Sequence, residues 1–186
     1  MTHVLNRGIK LFVACSVSFL ACGFAYADSA IDLGTSVPTA ASIREGLFPN
    51  DECEQLKAAG FKCMGFKAPV RYSLPSVSFV VGSAELPSKL KTQLDVFAAA
   101  LKDKSGADRR VKIEGHADAS GTPKANIELS QRRADAAKQY LVAKGISQDM
   151  LVAVGVGAND LANATNPLAP ENRRVVIGRD GDDGAH

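Results

Sequence analysis

The stretch "GHADASGTPKANIELSQRRADAAKQYL", residues 115–141, joins the end of one predicted strand to a long predicted helix. Pro123 suits the first turn of that helix, and Gly145 suits its end. An apolar stripe at helical spacing runs along it: Ala134, Ala137 and Leu141. The preceding "RVKIEGHA" is typical of a strand. The sequence therefore predicts a strand–loop–helix unit with a turn-rich loop between its two elements.

The same alternation continues on both sides of this unit. Strands are predicted at 76–81, 110–117, 150–158 and 173–179, and helices at 85–106 and 123–145. A loop at 159–172 has room for one helical turn. Strands that alternate with helices indicate an α/β sandwich. We expect a domain at residues 76–179 with a small, mixed four-stranded sheet and helices packed on one face.

Composition excludes several classes of protein. The chain has 186 residues, of which 46% are hydrophobic and 23% charged, a balance typical of globular and not of disordered proteins. This length suffices for one ordinary domain with extensions. The net charge is +2, there is no Trp, and no basic run is interleaved with aromatic residues, so no nucleic-acid partner is expected.

Residues 1–27 are typical of a signal peptide. Arg7 and Lys10 precede the apolar run "LFVACSVSFLACGFA", and Ala25 and Ala27 fit a cleavage site after Ala27. An uncleaved anchor helix is one alternative, and lipidation at Cys22 after "FLA" is another. Cleavage removes two of the 22 bases and none of the 20 acids, so the mature chain is neutral.

A small N-terminal element is predicted at residues 28–75. Its first part, 28–45, is rich in Ser, Thr, Ala and Pro and is typical of a linker, and a short helix is predicted from residue 51. Cys53 and Cys63 are expected to form a disulfide that staples this helix, because the chain is exported. Zinc needs about four ligands and no His lies nearby, so no metal is expected. Residues 180–186 are expected to form a flexible tail.

Candidate binding residues lie in the loop and on one face of the long helix. Asn126, Ser130 and Arg133 follow one another in steps of four and three, which places them on one helical face. Asp118 lies in the loop that leaves a strand's carboxyl end, where ligands usually bind in α/β units. Asp118 suits an ammonium group, Arg133 a carboxylate and Asn126 a peptide group. The alternative is structural: a turn or capping Asp and a surface Arg, with Arg132 beside it.

Four motifs occur in order along the second half of the chain. They are "FVVGSAEL", "IEGHADASG", "NIELSQRRADAAKQYL" and "ENRRVVI". Together they resemble the OmpA-like C-terminal domain family, whose members bind peptidoglycan, and the resemblance covers residues 76–179. Two positions depart from the family pattern: Gly82 stands where members often carry Asp or Asn, and the loop before "ENRR" is shorter.

The resemblance implies a ligand and a set of residues. In the family, the positions of Asp118 and Arg133 hold the meso-diaminopimelate of the peptidoglycan stem peptide. Asn126 matches a supporting position, and so does one residue of the pair Arg173 and Arg174; the sequence leaves open which one faces the ligand. The chain resembles compact periplasmic or lipoprotein members of the family, with no cofactor.

The function expected from this resemblance is non-catalytic binding of peptidoglycan, anchoring the outer membrane or an envelope assembly to the cell wall of a Gram-negative bacterium. Membrane contact is expected only through lipidation at Cys22 or through a partner. A hydrolase built on His116 and Asp118 is disfavoured, because no G-x-S-x-G motif is present. The alternative is a periplasmic adaptor that binds another envelope protein through residues 28–75, with Asp118 and Arg133 forming only a structural salt bridge.

Overall fold

The computed structural model describes residues 30–62, 65, 67–74, 79–102 and 110–181. Its helices are α1 (Ala40–Leu47), α2 (Asp51–Ala58), α3 (Ser88–Leu101) and α4 (Pro123–Ala143). Its strands are β1 (Ile31–Asp32), β2 (Tyr72–Leu74), β3 (Val111–His116), β4 (Leu151–Gly157) and β5 (Val175–Arg179). Single 3₁₀ turns lie at Gln148–Met150 and Pro170–Asn172. Within these ranges, no helix is both long enough and apolar enough to cross a membrane.

The five strands form one mixed sheet in the order β1-β2-β5-β3-β4. β3 pairs parallel with β4 on one side and antiparallel with β5 on the other. β2 pairs antiparallel with β5, and β1 pairs parallel with β2. The parallel pair β3–β4 needs a crossover, and α4 supplies it. This crossover brings the loop after β3 and the first turns of α4 to the same edge of the sheet.

The core lies between the sheet and the helices. Alternate residues of the central strands face α4, because successive side chains of a strand point to opposite faces. α4 packs on β3 and β4, α3 packs beside α4, and α1 packs on α3. The side chains that are fully buried in this layer include Ile43, Leu47, Leu94, Phe97, Val111, Ile113, Leu141, Val175 and Ile177.

Two glycines allow α4 to lie directly on the backbone of the sheet. A Cβ at Gly115 would sit 1.9 Å from the carbonyl oxygen of Ser130, and one at Gly155 would sit 2.5 Å from the backbone nitrogen of Gln131. Real Cβ atoms essentially never approach a neighbour closer than 3.0 Å, so neither position accepts a side chain without a shift of the helix. The glycines therefore fix the height of α4 above β3 and β4.

The outer edge of β4 is covered by side chains of α4. Gln131 Oε1 accepts a hydrogen bond from the Gly155 N–H at 2.8 Å, and Gln131 Nε2 donates to the Ala153 carbonyl at 3.2 Å. The Ser130 hydroxyl accepts from the Gly157 N–H at 2.8 Å. An edge strand normally presents such groups to solvent or to another chain. Here the protein's own helix engages them.

The predicted α/β class is confirmed, but the sheet has five strands and not the four that were predicted. The strand predicted at 76–81 is wrong over 79–81, which are irregular and lead into a turn, while 76–78 lie outside the described residues. Phe79 is buried, but Val80 and Val81 are 74% and 65% exposed, so the alternation does not mark a half-buried strand. β2 takes the place beside β5 instead.

The N-terminal segment contributes to the same sheet and core. β1 and most of α1 form within residues 28–45, for which the composition predicted a linker, and β2 precedes the domain boundary predicted at residue 76. Ile43 and Leu47 of α1 are fully buried, and their helix packs against α3. The core therefore extends on both sides of that predicted boundary.

The predicted limits of α4 hold to within two residues, whereas α3 begins at Ser88, three residues after the start predicted at residue 85. α4 begins at Pro123, where the Thr122 hydroxyl caps it by accepting from the Ala125 N–H at 3.2 Å, and Gly145 follows its end with φ +95°. Cys53 lies in α2, whereas Cys63 lies outside the described residues, so the disulfide stays a prediction. Residues 1–27, with Cys22, and most of the predicted tail also lie outside them.

Candidate functional site

The candidate site forms where three loops meet at the carboxyl end of β3. Ala117 donates to the Gly157 carbonyl at 2.8 Å, and Ala119 donates to the Pro167 carbonyl at 3.0 Å. Arg173 Nε donates to the Phe79 carbonyl at 2.9 Å. The segments around residues 79–83, 117–122 and 158–174 are thereby tied together over the beginning of α4.

Asp118 is buried in this junction and accepts hydrogen bonds on both carboxylate oxygens. Oδ1 accepts from the Ser120 hydroxyl at 2.5 Å and from the Ser120 N–H at 3.2 Å. Oδ2 accepts from Arg173 Nη1 at 2.8 Å. Burial by itself raises the pKa of Asp118, but the bonds from Ser120 and Arg173 outweigh it and hold that pKa below its ordinary value. Asp118 is therefore an anion at neutral pH.

Arg133 is fully buried, with 0% of its surface exposed. Its guanidinium donates to the carbonyls of Ser83 at 2.9 Å, His116 at 3.0 Å and Val80 at 3.4 Å. The ring of Phe79 lies 4.6 Å from the guanidinium carbon and covers its face. Burial lowers the pKa of Arg133 to about 10, against an opposing effect of Asp118, so the side chain is a cation at neutral pH. No pattern in the sequence indicated that residues 79–83 would enclose it.

Asn126 and Ser130 occupy the same face of α4 as Arg133. Asn126 lies in the first turns of the helix, is buried, and donates from Nδ2 to the Gly121 carbonyl at 3.3 Å. Ser130 is fully buried, and its hydroxyl accepts from the Gly157 N–H. Asn126 therefore fixes the loop after β3, while Ser130 fixes the end of β4.

Arg173 and Arg174 point to different places. Arg173 reaches Asp118, whereas Arg174 donates to the Asp160 carbonyl at 3.1 Å and to its carboxylate at 2.8 Å. Neighbouring residues at the start of a strand face opposite sides of the sheet. The structure therefore brings Asp118, Arg133 and Arg173 together, places Asn126 on the loop that carries Asp118, and places Arg174 elsewhere. We call Asp118, Arg133 and Arg173 the charged cluster.

Asn172 is a residue that the sequence analysis missed. It is fully buried, accepts from the Asn163 N–H at 2.8 Å, and donates to the carbonyls of Asn163, Asn166 and Pro167. These bonds shape the loop before β5 and set the direction in which Arg173 leaves it. Its place in "ENRRVVI" and the asparagine-rich composition of "NATNPLAPEN" were the signals in the sequence that could have found it.

His116 does not join the charged cluster. It is 1% exposed, its Nδ1 lies 3.2 Å from the Asp160 carbonyl, and its Nε2 has no partner among the described residues. A carbonyl only accepts, so Nδ1 carries the proton. Burial, with the charge of Arg174, lowers the pKa of His116 to about 3. Its contact is with Asp160, whose carboxylate lies 3.7 Å from Nδ1, and not with Asp118, so the His116–Asp118 pair considered for a hydrolase does not form.

The charged cluster carries one more positive than negative charge. Arg133 lies close enough to Asp118 and Arg173 for both charges to act on it. An excess buried cation favours an incoming anion, because the effective dielectric constant is low there. No group of three or more His, Cys, Asp or Glu suited to a metal occurs in the described ranges. The arrangement suits a ligand with a carboxylate.

Known proteins resemble this chain over the same region. Residues 78–174 match the model of the OmpA family. The peptidoglycan-associated lipoprotein of Pseudomonas aeruginosa is 40% identical over 101 residues, which cover 53% of this chain and 58% of that protein. The peptidoglycan-binding protein ArfA of Mycobacterium tuberculosis is 32% identical over 127 residues, 67% of this chain and 36% of that protein. The match thus spans 58% of one relative's length and 36% of the other's.

Solved structures agree on the fold. The OmpA-like domain of FopA1 from Francisella tularensis superposes with a TM-score of 0.50 at 24% identity, covering 59% of this chain and 72% of that one. The family model matches more than half of the 186 residues and includes all three members of the charged cluster. The chain belongs to the OmpA family.

Proposed function

We propose that this protein binds peptidoglycan without catalysis, recognises the diaminopimelate of its stem peptide, and fastens the outer membrane or an envelope assembly to the cell wall. The charged cluster carries this proposal, because a buried carboxylate pairs with the guanidinium of Arg173 and lies close enough to Arg133 to act on its charge. The names of the relatives, a peptidoglycan-associated lipoprotein and a peptidoglycan-binding protein, support the same ligand. The names of relatives also support an exported, periplasmic or outer-membrane location.

The proposed mechanism is recognition of a zwitterion. One end of diaminopimelate presents an ammonium and a carboxylate on one carbon. Asp118 accepts from the ammonium, Arg173 donates to the carboxylate, and the buried charge of Arg133 attracts that carboxylate. Asn126, which bonds the loop that carries Asp118, binds the neighbouring peptide group.

The affinity of a single site is expected to be modest. Hydrogen bonds to charged groups contribute about 1.5–3 kcal/mol each before the costs of association are subtracted. The cell wall repeats the same stem peptide, so tethering of the protein to a membrane or assembly raises the effective affinity. Such a module holds a structure to the wall through many weak contacts.

Co-sedimentation with purified peptidoglycan tests the proposal. The parent chain from residue 28 is compared with Asp118→Asn, Arg133→Lys and Arg173→Gln, with circular dichroism to verify folding. Conservative substitutions are used because Arg133 is fully buried and an alanine there would leave three carbonyls without a donor. Arg132→Gln is the matched control, because Arg132 is an exposed neighbour on α4.

We expect the parent and the Arg132→Gln control to co-sediment and the folded cluster variants to stay in solution. Equal behaviour of all folded proteins would contradict the mechanism. An adaptor that binds a protein partner through residues 28–75 would then take its place. The exposure of Leu56 and Phe61, at 48% and 64%, favours that alternative, since both lie in that segment.

A further inference from the structure

We propose that Arg173 is an internal counter-ion of Asp118, bound where the ammonium of the ligand would bind. Because the ligand has to displace it, the site prefers a centre that bears both an ammonium and a carboxylate over a bare amine. This inference rests on the proposed function and adds a specificity-determining residue to it. It distinguishes a stem peptide with diaminopimelate from one with lysine, whose side chain ends in an ammonium alone.

Asp118 is already engaged by the protein's own donors. Its two oxygens already accept three hydrogen bonds, two from Ser120 and one from Arg173. A carboxylate has about four acceptor positions, so little capacity remains for an ammonium with three donors. The Ser120 bonds are local to the loop. The Arg173 bond is the one that a ligand ammonium has to replace.

Displacing Arg173 from Asp118 is costly for Arg173. The Arg173 side chain is 14% exposed, so it does not become a solvated cation without moving. After losing Asp118 it keeps the bond from Nε to the Phe79 carbonyl, but it has no second anion within hydrogen-bond distance among the described residues. Glu171 acts on Arg173 only through space, and its carboxylate accepts from Asn163. A largely buried guanidinium without a directly paired counter-ion is unfavourable. The exchange is therefore favourable only when the ligand brings an anion with it.

The carboxylate of such a ligand would lie next to Arg173. A carboxylate on the same carbon as the ammonium lies within a few ångströms of it, next to the guanidinium that has just been released. Arg133 adds a second positive charge close by, but its guanidinium is fully buried beneath Phe79 and residues 80–83. Arg173 is therefore the more accessible of the two arginines for the incoming carboxylate. A bare amine offers nothing in return for displacing it.

Two tripeptides that differ by one carboxylate provide the test. The probes are L-Ala–γ-D-Glu–meso-diaminopimelate and L-Ala–γ-D-Glu–L-Lys, and their affinities for the chain from residue 28 are measured by isothermal titration calorimetry. We expect the parent to prefer the diaminopimelate peptide by about 30-fold, the value of one charge-assisted interaction. In Arg173→Gln the preference should fall below about threefold, because the lysine peptide no longer displaces a cation. Arg132→Gln should retain the parent's preference.

Each outcome has a distinct meaning. A folded Arg173→Gln variant that keeps the parent's preference overturns the inference while leaving the proposed function intact. A parent that binds the two tripeptides equally well also overturns it. A parent that binds neither tripeptide, and does not sediment with peptidoglycan, refutes the proposed function itself.

A measurement on the parent alone guards against misfolding of the variant. The side-chain Nε–H resonance of Arg173 is followed by NMR while D-alanine or methylamine is added. The zwitterion D-alanine should shift this resonance at concentrations where methylamine, an ammonium alone, does not. Equal shifts with both compounds would show that Arg173 exerts no selection.

Discussion

Replacing Gly115 with alanine should displace α4 from the sheet. The new Cβ would lie 1.9 Å from the Ser130 carbonyl oxygen and 2.8 Å from its carbon, both of which are backbone atoms. Restoring an ordinary contact of 3.4 Å requires a shift of about 1.5 Å. The helix has little freedom to move, because it also lies on the backbone of β4 at Gly155.

The expected cost is about 3 kcal/mol, the upper end of the usual range for overpacking, since backbone has to move. For a chain of this size, each kcal/mol lowers Tm by about 2–4 °C, which predicts a decrease of about 6–12 °C. The same shift stretches the 3.0 Å bond between Arg133 and the His116 carbonyl, so peptidoglycan binding should weaken as well. Differential scanning calorimetry and co-sedimentation measure the two effects.

Gly145→Ala separates steric clash from backbone strain. Gly145 has φ +95°, and a Cβ added to it would meet no atom within 4 Å, so its substitution strains the backbone without moving α4. It should cost about 1–2 kcal/mol and leave binding by the folded protein intact. If Gly115→Ala unfolds within about 2 °C of the parent and binds equally well, the claim that the glycines seat α4 and thereby position Arg133 is refuted.

Three further predictions concern groups around the site. The pKa of Asp118 is lowered in the folded state, so the stability that its carboxylate contributes is present above the ordinary pKa of 3.8 and is lost as the pH falls through the folded pKa. The difference in Tm between the parent and Asp118→Asn should therefore stay constant above pH 3.8 and shrink in more acidic buffer. His116 has a pKa of about 3 in the folded state and an ordinary pKa of 6.5, so between these limits only the unfolded state binds the proton. Acidification over this range should destabilise the parent by up to about 1.4 kcal/mol per pH unit. Urea titrations of His116→Asn should lack that dependence on pH. Gln131→Leu should lower the free energy of unfolding by about 1–3 kcal/mol, because it leaves two backbone groups of β4 unpaired. Gel filtration should also show self-association of this variant, and not of the control Gln139→Leu at an exposed site.

The sequence predicted the helices and strands that have a clear local periodicity, but not the elements that depend on contacts between distant residues. α4 could be placed from Pro123 to its glycine stop because its signals are local, and the loop with Asp118 follows from that placement. The strand predicted at 76–81 is wrong over residues 79–81, because Val80 and Val81 lie in solvent and do not alternate with buried residues. β2 has three residues, too few for periodicity to reveal, and its pairing with β5 is a tertiary effect.

The candidate site shows the same division. Asp118 and Arg133 stood out through motif and spacing, and their role in binding a ligand stays a prediction. The choice between Arg173 and Arg174 was open in the sequence, because it depends on how Asn172 holds the preceding loop. The enclosure of Arg133 by Phe79 and Ser83 joins residues about fifty positions apart, which no local pattern encodes.

The side chain that covers the edge of β4 also bears on the order of folding. Gln131 and Gly155 are separated by 24 positions, and the helix that carries the glutamine is made before the strand that it covers. Closing so short a loop is fast compared with assembling the distant pairs of the sheet. The edge can therefore be sealed as soon as α4 docks on β4, before β5 completes the other side. During folding, the edge of β4 is therefore exposed only briefly to strand pairing with other chains.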